Sequence, residues 1–480
     1  MNHHKLLCSA MAAAFATMAP LSSQAAGEAK NVIFFLGDGM GPVTTTAARI
    51  YKVKEEGKLT MDTLPYTARV KTYSLDGQTT DSAPSMAAYT TGVKTRNETL
   101  AMDATTVALG HEPSTDPVTK VGSAINNCPA SGNGSPSTTL LELAIAKGKS
   151  TGAVTTARLT HATPAATYAH ICHRNAEYAI APQAVPGGAG YNAALGTGVD
   201  VLMGGISYYW KPFDATTRKR GRPDGRDLVA ELQAKGYTSI NDLATMNAAP
   251  TATGTRLIGL FDFAEAQGHM SYELDRDPAK EPSLAQMTTK ALEILTKNDK
   301  GFFLMVEGGR IDHALHGTNA ARALADTVAF DDAIQAAIDK MKTVDPDLAN
   351  TLIVVTADHD HTMAFNGYGK RGTDILGINI NYATGAPSTD VNGNNYSTLV
   401  FGNGSNRPDV RVPLDPAVVN KDNKDYLQEV AIRRGTPGSE THGGGDVKLF
   451  AIGAGAASRT FKGTIDNTKV FTLVKTAAGY

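Results

Sequence analysis

The chain has 480 residues, room for one large domain or two or three small ones; 42% hydrophobic and 19% charged residues is an ordinary soluble globular balance. A formal net charge of −2 gives no general reason to expect nucleic acid or an anionic membrane surface as partner. After the first 26 residues no segment approaches the roughly 20 consecutive apolar residues that a membrane span needs.

Those first 26 residues form the first element. Lys5, with His3 and His4, precedes the apolar stretch LLCSAMAAAFATMAPL, and small residues close the segment near Ala25 and Ala26. A short basic start, an apolar run too short to span a bilayer and a small-residue end predict a secretory signal, hence a periplasmic or secreted mature chain. Cys8 lies in that signal, which leaves Cys128 and Cys172 for an oxidising compartment, as one disulfide or as two buried thiols.

The rest alternates short apolar runs with helical spacing. NVIFFL (31–36) ends in Gly37-Asp38-Gly39; STGAVTT (150–156) leads to Thr163; GFFLMV (301–306) ends in Glu307; TLIVVTA (351–357) ends in Asp358-His359-Asp360-His361. VKLFAIG (447–453) instead follows His442, which is flanked by glycines. Unbroken apolar strands separated by helices predict an α/β fold with a doubly wound, mostly parallel sheet covered by helices on both faces. Ligands in such sheets bind beyond the carboxyl ends of the strands, where four of these runs place His, Asp, Glu or Thr. Residues 366–440 break the pattern and read as an insertion with one or two short strands.

Asp312 and His316, four apart, share one side of a helical turn, and an acid and an imidazole suit zinc, with His442 as candidate third ligand. Asp358 and His359 offer a second pair that Asp38 could join. Glu307 and Thr163 are hard oxygen donors better suited to magnesium. Taken singly each has a plain alternative, such as a turn aspartate, a solvated histidine or a helix cap. Ser82, ahead of an Ala-rich helical run, would sit at a helix N-terminus beside anion-binding N–H groups, although capping by Asp81 or Ser82 is the simpler reading. Arg174 could fork onto phosphate oxygens.

In order along the chain, FFLGDGMG, DSAPS, THATPAATYAH followed by Arg174, VEGGRIDHALH, VVTADHDH and ETHGGGDV resemble the motifs of the alkaline phosphatases. Together they span residues 31 to 453. The resemblance implies hydrolysis of small phosphate monoesters through a phosphoserine on Ser82, with Arg174, steadied by Asp81, clamping phosphate. It assigns Asp312, His316 and His442 to one zinc, Asp38, Asp358 and His359 to a second, and Asp38, Thr163 and Glu307 to magnesium. His161 and His313 resemble the animal-type pattern and are expected to arrange water around magnesium and phosphate; His361 has no matching role. Phe261, Asp262 and Glu281 resemble part of an animal-type calcium site that lacks a fourth ligand. The family's homodimers meet through a crown that corresponds to residues 366–440, residues 27–480 would form the catalytic domain, and no lipid-anchor tail is expected. A phosphodiesterase of the same superfamily is the alternative, and a phosphate- or metal-binding protein without turnover a weaker one. A sulfatase would show C-x-P-S-R where this chain has Asp81-Ser82-Ala83-Pro84-Ser85.

Overall fold

The computed structural model describes residues 29–109, 128–129, 131–214, 216, 220–263, 268–435, 439–455 and 457–480. The segment read as a secretory signal therefore lies outside the described residues. The strands, in chain order, are β1 (Asn31–Gly37), β2 (Tyr66–Lys71), β3 (Ser150–Arg158), β4 (Val201–Gly205), β5 (Tyr237–Ile240), β6 (Arg256–Phe261), β7 (Phe302–Gly308) and β8 (Thr351–Ala357). There follow β9 (Asp360–His361), β10 (Met363–Phe365), β11 (Leu399–Gly404), β12 (Val430–Arg433), β13 (His442–Gly443), β14 (Val447–Gly453) and β15 (Gly463–Asp466).

Ten of them form one sheet in the order β15-β2-β14-β8-β1-β7-β3-β4-β6-β5. All pairings are parallel except those of β14, which runs antiparallel to both β8 and β2. The centre is built from the runs that the sequence made conspicuous. Val32 to Leu36 of β1 are buried on both faces, as are all residues of β7 and β8. Burial from both sides is why these strands are continuously apolar rather than alternating, and each large side chain so buried contributes roughly 1.5–3 kcal/mol.

Helices pack in two groups against this sheet. One joins Pro42–Val53, Leu284–Leu295, Arg310–His316 and Ala320–Lys342; the other joins Ser82–Thr91, Leu140–Ala146, Ala162–Tyr168 and Asn467–Ala478. The fold is thus α/β with a mostly parallel central sheet, as expected. Within residues 366–440, β11 and β12 pair in parallel and β10 adds antiparallel to β11. Asp390 and Glu429 both grip Arg411 there, at 2.6 and 2.7 Å.

Parallel strands β8, β1, β7 and β3 lie side by side, so their carboxyl ends open onto one crevice. Because β14 is reversed, its beginning rather than its end faces that crevice. This is why His442 precedes its strand while the other candidate ligands follow theirs.

Candidate metal and nucleophile site

Asp38 follows β1 in a turn that only glycine can close. Gly39 has φ +65, and a Cβ there would lie 2.5 Å from the His361 ring. At Gly41 an added Cβ would lie 1.6 Å from Asp360 Oδ1. Gly39 N–H donates to Asp358 Oδ1 at 2.9 Å, which joins the ends of β1 and β8. Next to them is His359, fully buried, whose Nδ1 faces the Asp360 carbonyl at 3.2 Å. A neutral imidazole that donates at Nδ1 presents a lone pair at Nε2. That lone pair faces Asp38 Oδ1 and Asp358 Oδ2, both at 3.3 Å.

The second cluster repeats the pattern. His316 Nδ1 donates to the Glu440 carbonyl at 2.6 Å, and His442 Nδ1 to the Thr80 carbonyl at 2.8 Å. Both Nε2 atoms are then acceptors, yet they face each other at 3.1 Å, with Asp312 Oδ1 at 3.2 and 3.5 Å. Two lone pairs and a carboxylate oxygen cannot satisfy one another, whereas a cation among them satisfies all three. The third grouping holds Asp38, Glu307 and His161 around ligand atoms within 4.8 Å of one another. Thr163, on the helix Ala162–Tyr168, is buried close to the Glu307 carboxylate.

Four buried oxygens, Asp38 Oδ2, Asp358 Oδ2, Glu307 Oε1 and Thr163 Oγ1, lack a geometrically good protein hydrogen bond. Burial pushes the Asp38 carboxyl well up, and the carboxylates of Asp358, Asp312 and Glu307 add to it. Burial likewise raises Asp358, and lifts Glu307 to about 7. Asp312 goes the other way: burial opposes its charge, but His316, His361 and His442 outweigh that and hold it well below the usual range. Buried acids with unpartnered oxygens, interleaved with imidazole lone pairs, fit zinc in the first two clusters and a harder ion beside Glu307 and Thr163.

Ser82 opens the helix Ser82–Thr91, with Asp81 as its N-cap accepting from Ala83 N–H at 2.8 Å. Its Oγ is 3.4 Å from Asp38 Oδ1 and 3.3 Å from His359 Nε2, so the hydroxyl borders the second cluster. Asp81 Oδ1 also accepts from Arg174 Nη1 at 3.0 Å, and its Oδ2 accepts from Glu98 N–H. One carboxylate thereby both caps the helix and aims the guanidinium. Arg174 Nη2 donates to His161 Nε2 at 3.0 Å, so His161 carries its proton on Nδ1 and offers a donor there. That favours His161 as a water or phosphate partner over a metal ligand.

The structure therefore gathers Ser82, Asp81, Arg174, His161, His313 and all eight candidate zinc and magnesium ligands at one crevice. Cys128 and Cys172 are bonded Sγ to Sγ, two residues before Arg174. Of the possible calcium residues, Phe261 ends β6, Asp262 follows it and Glu281 precedes the helix Leu284–Leu295. Asp262 is exposed, accepts from Ser207 Oγ at 2.9 Å, and lines a cavity of about 330 Å³ with the cationic Lys211. Glu281 is buried and accepts from Ser271 N–H at 2.8 Å. Neither belongs to a group of three ligating side chains among the described residues.

Two histidines gain roles that sequence reasoning did not find. His361 bridges Asp312 Oδ1 at 2.7 Å and Glu440 Oε2 at 2.5 Å. Burial works against its charge, yet these two acids hold it up at about 10. Both nitrogens are engaged, so it supports Asp312 rather than replacing it. The antiparallel pairing of β9 with β13 sets it opposite His442. His269, in no strand-end motif, stands behind His161 and His313.

The family model for alkaline phosphatase matches residues 29–480. The chain belongs to the alkaline phosphatase family. An alkaline phosphatase of Gadus morhua is 35% identical over 452 residues, covering 89% of this chain and 87% of that one. A membrane-bound alkaline phosphatase of Bombyx mori is 35% identical over 465 residues, covering 90% and 77%. Among solved structures, the alkaline phosphatase of Thermus thermophilus aligns at TM-score 0.65 and 25% identity, over 98% of this chain and 96% of that one. That of a psychrophilic Shewanella species aligns at 0.62 and 26%, over 93% and 99%. As an alkaline phosphatase the chain is a metal-binding hydrolase, and its relatives imply phosphate monoesters as substrates.

Proposed function

We propose that this alkaline phosphatase hydrolyses phosphate monoesters through a phosphoserine on Ser82. Asp312, His316 and His442 would hold one zinc ion, Asp38, Asp358 and His359 a second, and Asp38, Thr163 and Glu307 a magnesium ion. The observation that carries the reading is Ser82 Oγ poised against Asp38 and His359, with Arg174 tied by Asp81 to the same helix start. When bound, the ions supply Lewis acidity and positive charge at the attacking and departing oxygens.

The chain's own residues do the rest. Arg174 forks onto two of the three non-bridging oxygens of a monoester dianion and leaves the third for the opposite side of the site, whereas a diester has only two and cannot serve both. Ser82 Oγ passes its proton to hydroxide in the solvent and bonds to phosphorus as the opposite P–O ester bond breaks, and the departing alkoxide takes a proton from water, which returns the hydroxide. Water then adds to phosphorus, the Ser82 Oγ–P bond breaks, Ser82 regains a proton and inorganic phosphate leaves. The Ser82 N–H and the positive end of the helix Ser82–Thr91 would offset the phosphate charge throughout. His161 and His313 hold water at the magnesium side.

Residues 1–26 would direct export, with cleavage near Ala25 and Ala26 and a periplasmic or secreted product. Residues 27–480 would form the catalytic domain. A homodimer through residues 366–440 is supported by the exposed Tyr368, Tyr382, Val391, Val410, Val412 and Ile432. Calcium is not included, because Lys211 lines the cavity beside Asp262.

The test is turnover of an aryl phosphate monoester and the matching diester at pH 8–10, before chelation, after it, and after zinc and magnesium add-back. Monoester preference that is lost on chelation and restored by metal is expected. Diester preference would move the chain to the phosphodiesterase reading, and no turnover with metal present would leave a binding protein.

A further inference from the structure

We infer that His269 is a positioning residue for phosphate recognition, holding His161, and through it Arg174, against the frame of β3. This deepens the phosphatase reading above and rests on it. His269 is 2% exposed and reaches the site from the stretch after β6, where the N–H of the next residue, Met270, donates to the Thr156 carbonyl at 3.0 Å. Its ring lies 3.9 Å from that of His313 and 5.5 Å, edge-on at 84°, from that of His161. His161 and His313 are 5.3 Å apart, so the three imidazoles close a triangle.

Behind the triangle is a rigid anchor. His269 Nδ1 is 3.1 Å from the Arg158 backbone N–H and its Nε2 is 2.7 Å from Arg158 Nη1. A neutral imidazole accepts at only one nitrogen, so one of these two contacts is the hydrogen bond at a time. Arg158 itself is fixed by two 2.9 Å bonds to Glu177, which also accepts from Thr160 Oγ1 at 2.5 Å.

In front of the triangle His161 is weakly tied. Its Nε2 receives Arg174, its Nδ1 has no protein partner, and it makes no capping bond to the helix it precedes. With a single hydrogen bond, its ring angle is set by what packs against it, namely His269 and His313. A rotation of His161 moves the acceptor that steadies one of Arg174's two terminal nitrogens. His269 thus couples an immobile ion pair in the frame to the guanidinium that reads phosphate.

The experiment measures binding of inorganic phosphate to the metal-loaded protein by calorimetry, together with KM and kcat for an aryl phosphate. Wild type, His269→Ala, His269→Gln, Arg174→Ala and the double variant His269→Ala/Arg174→Ala are compared. Expected are about tenfold weaker phosphate binding and a matching rise in KM for His269→Ala, with kcat within about threefold. The glutamine, which keeps an acceptor toward Arg158, should recover most of the loss. In the Arg174→Ala background the His269 effect should vanish, because the two residues act as one unit. Unchanged phosphate affinity in His269→Ala, with only the melting temperature lowered, would overturn the inference, as would an undiminished His269 effect without Arg174. If His269→Ala does not fold, His269→Leu, which fills the space but offers Arg158 no acceptor, decides: phosphate affinity equal to that of wild type would also overturn it. Failure of the wild-type protein to bind phosphate at all would instead sink the parent reading, and this one with it.

Discussion

At the scale of single residues, the informative atoms are those left without a partner of the right sign. His316 and His442 point two acceptors at each other because carbonyls occupy their other nitrogens. Asp326 is a buried carboxyl of a different kind, on the helix Ala320–Lys342 and away from the ligand clusters. Burial pushes it up to about 7, although Arg310 opposes this, and its Oδ2 accepts from Glu273 N–H. Unfolded, such a group titrates near 4. The folded state therefore holds a proton that the unfolded state has lost between about pH 4 and 7, and the contribution to stability falls as pH rises through that window. The size is up to about 4 kcal/mol from a shift of about three units. Asp326→Asn keeps the acceptor and removes the titration. Urea unfolding of the metal-loaded protein at pH 5 and pH 8 should show the variant gaining on wild type at the higher pH. An equal difference at both pH values would show that Asp326 is ionised when folded.

At the scale of elements, much was legible before any coordinates. Asp38, Glu307, Asp358 and His359 stood out because central parallel strands are apolar throughout and stop abruptly where the crevice begins. Ser82 was visible as a helix start. His361 and His269 were not, since their importance lies in contacts across β9, β13 and β3 that no local spacing encodes. The direction of β14 was equally hidden: an apolar run reads the same in a parallel or an antiparallel strand. The Asp38 turn is where local sequence matters most. Gly39→Ala forces a left-handed residue to carry a side chain, at about 1 kcal/mol, and drives that side chain into His361. Displacing His361 releases Asp312, so the variant should lose bound metal on dialysis, read by elemental analysis, as well as turnover. Full metal content in Gly39→Ala would show that Asp312 is held without His361.

At the scale of the whole molecule, the disulfide between Cys128 and Cys172 ties the segment before Arg174 to a distant stretch of chain. Closing a loop with a sequence separation of 44 removes unfolded-state entropy worth about 4 kcal/mol in the chain-entropy model. Unfolding with and without a thiol reductant should differ by that order, and identical midpoints would mean that the bond does not form. Tertiary partners, not the spacing of the two cysteines, are what made the pairing unreadable from sequence. Chelation should lower the melting temperature independently, since ions that bind only the folded state stabilise it by mass action.

The reversed strand also governs when the protein can exist. Among the described residues strand β2 pairs only with β14 and β15, so the early segment leading to Ser82 joins the main sheet once the last strands have been synthesised. Asp38 and His442 are separated by 442 − 38 = 404 positions, and both belong to the ligand set. Contacts of such long range are slow to form and cannot be completed on a growing chain. The set that includes His442 can form only after nearly the entire polypeptide has been synthesised. Activity is therefore a property of the finished chain and of no growing part of it.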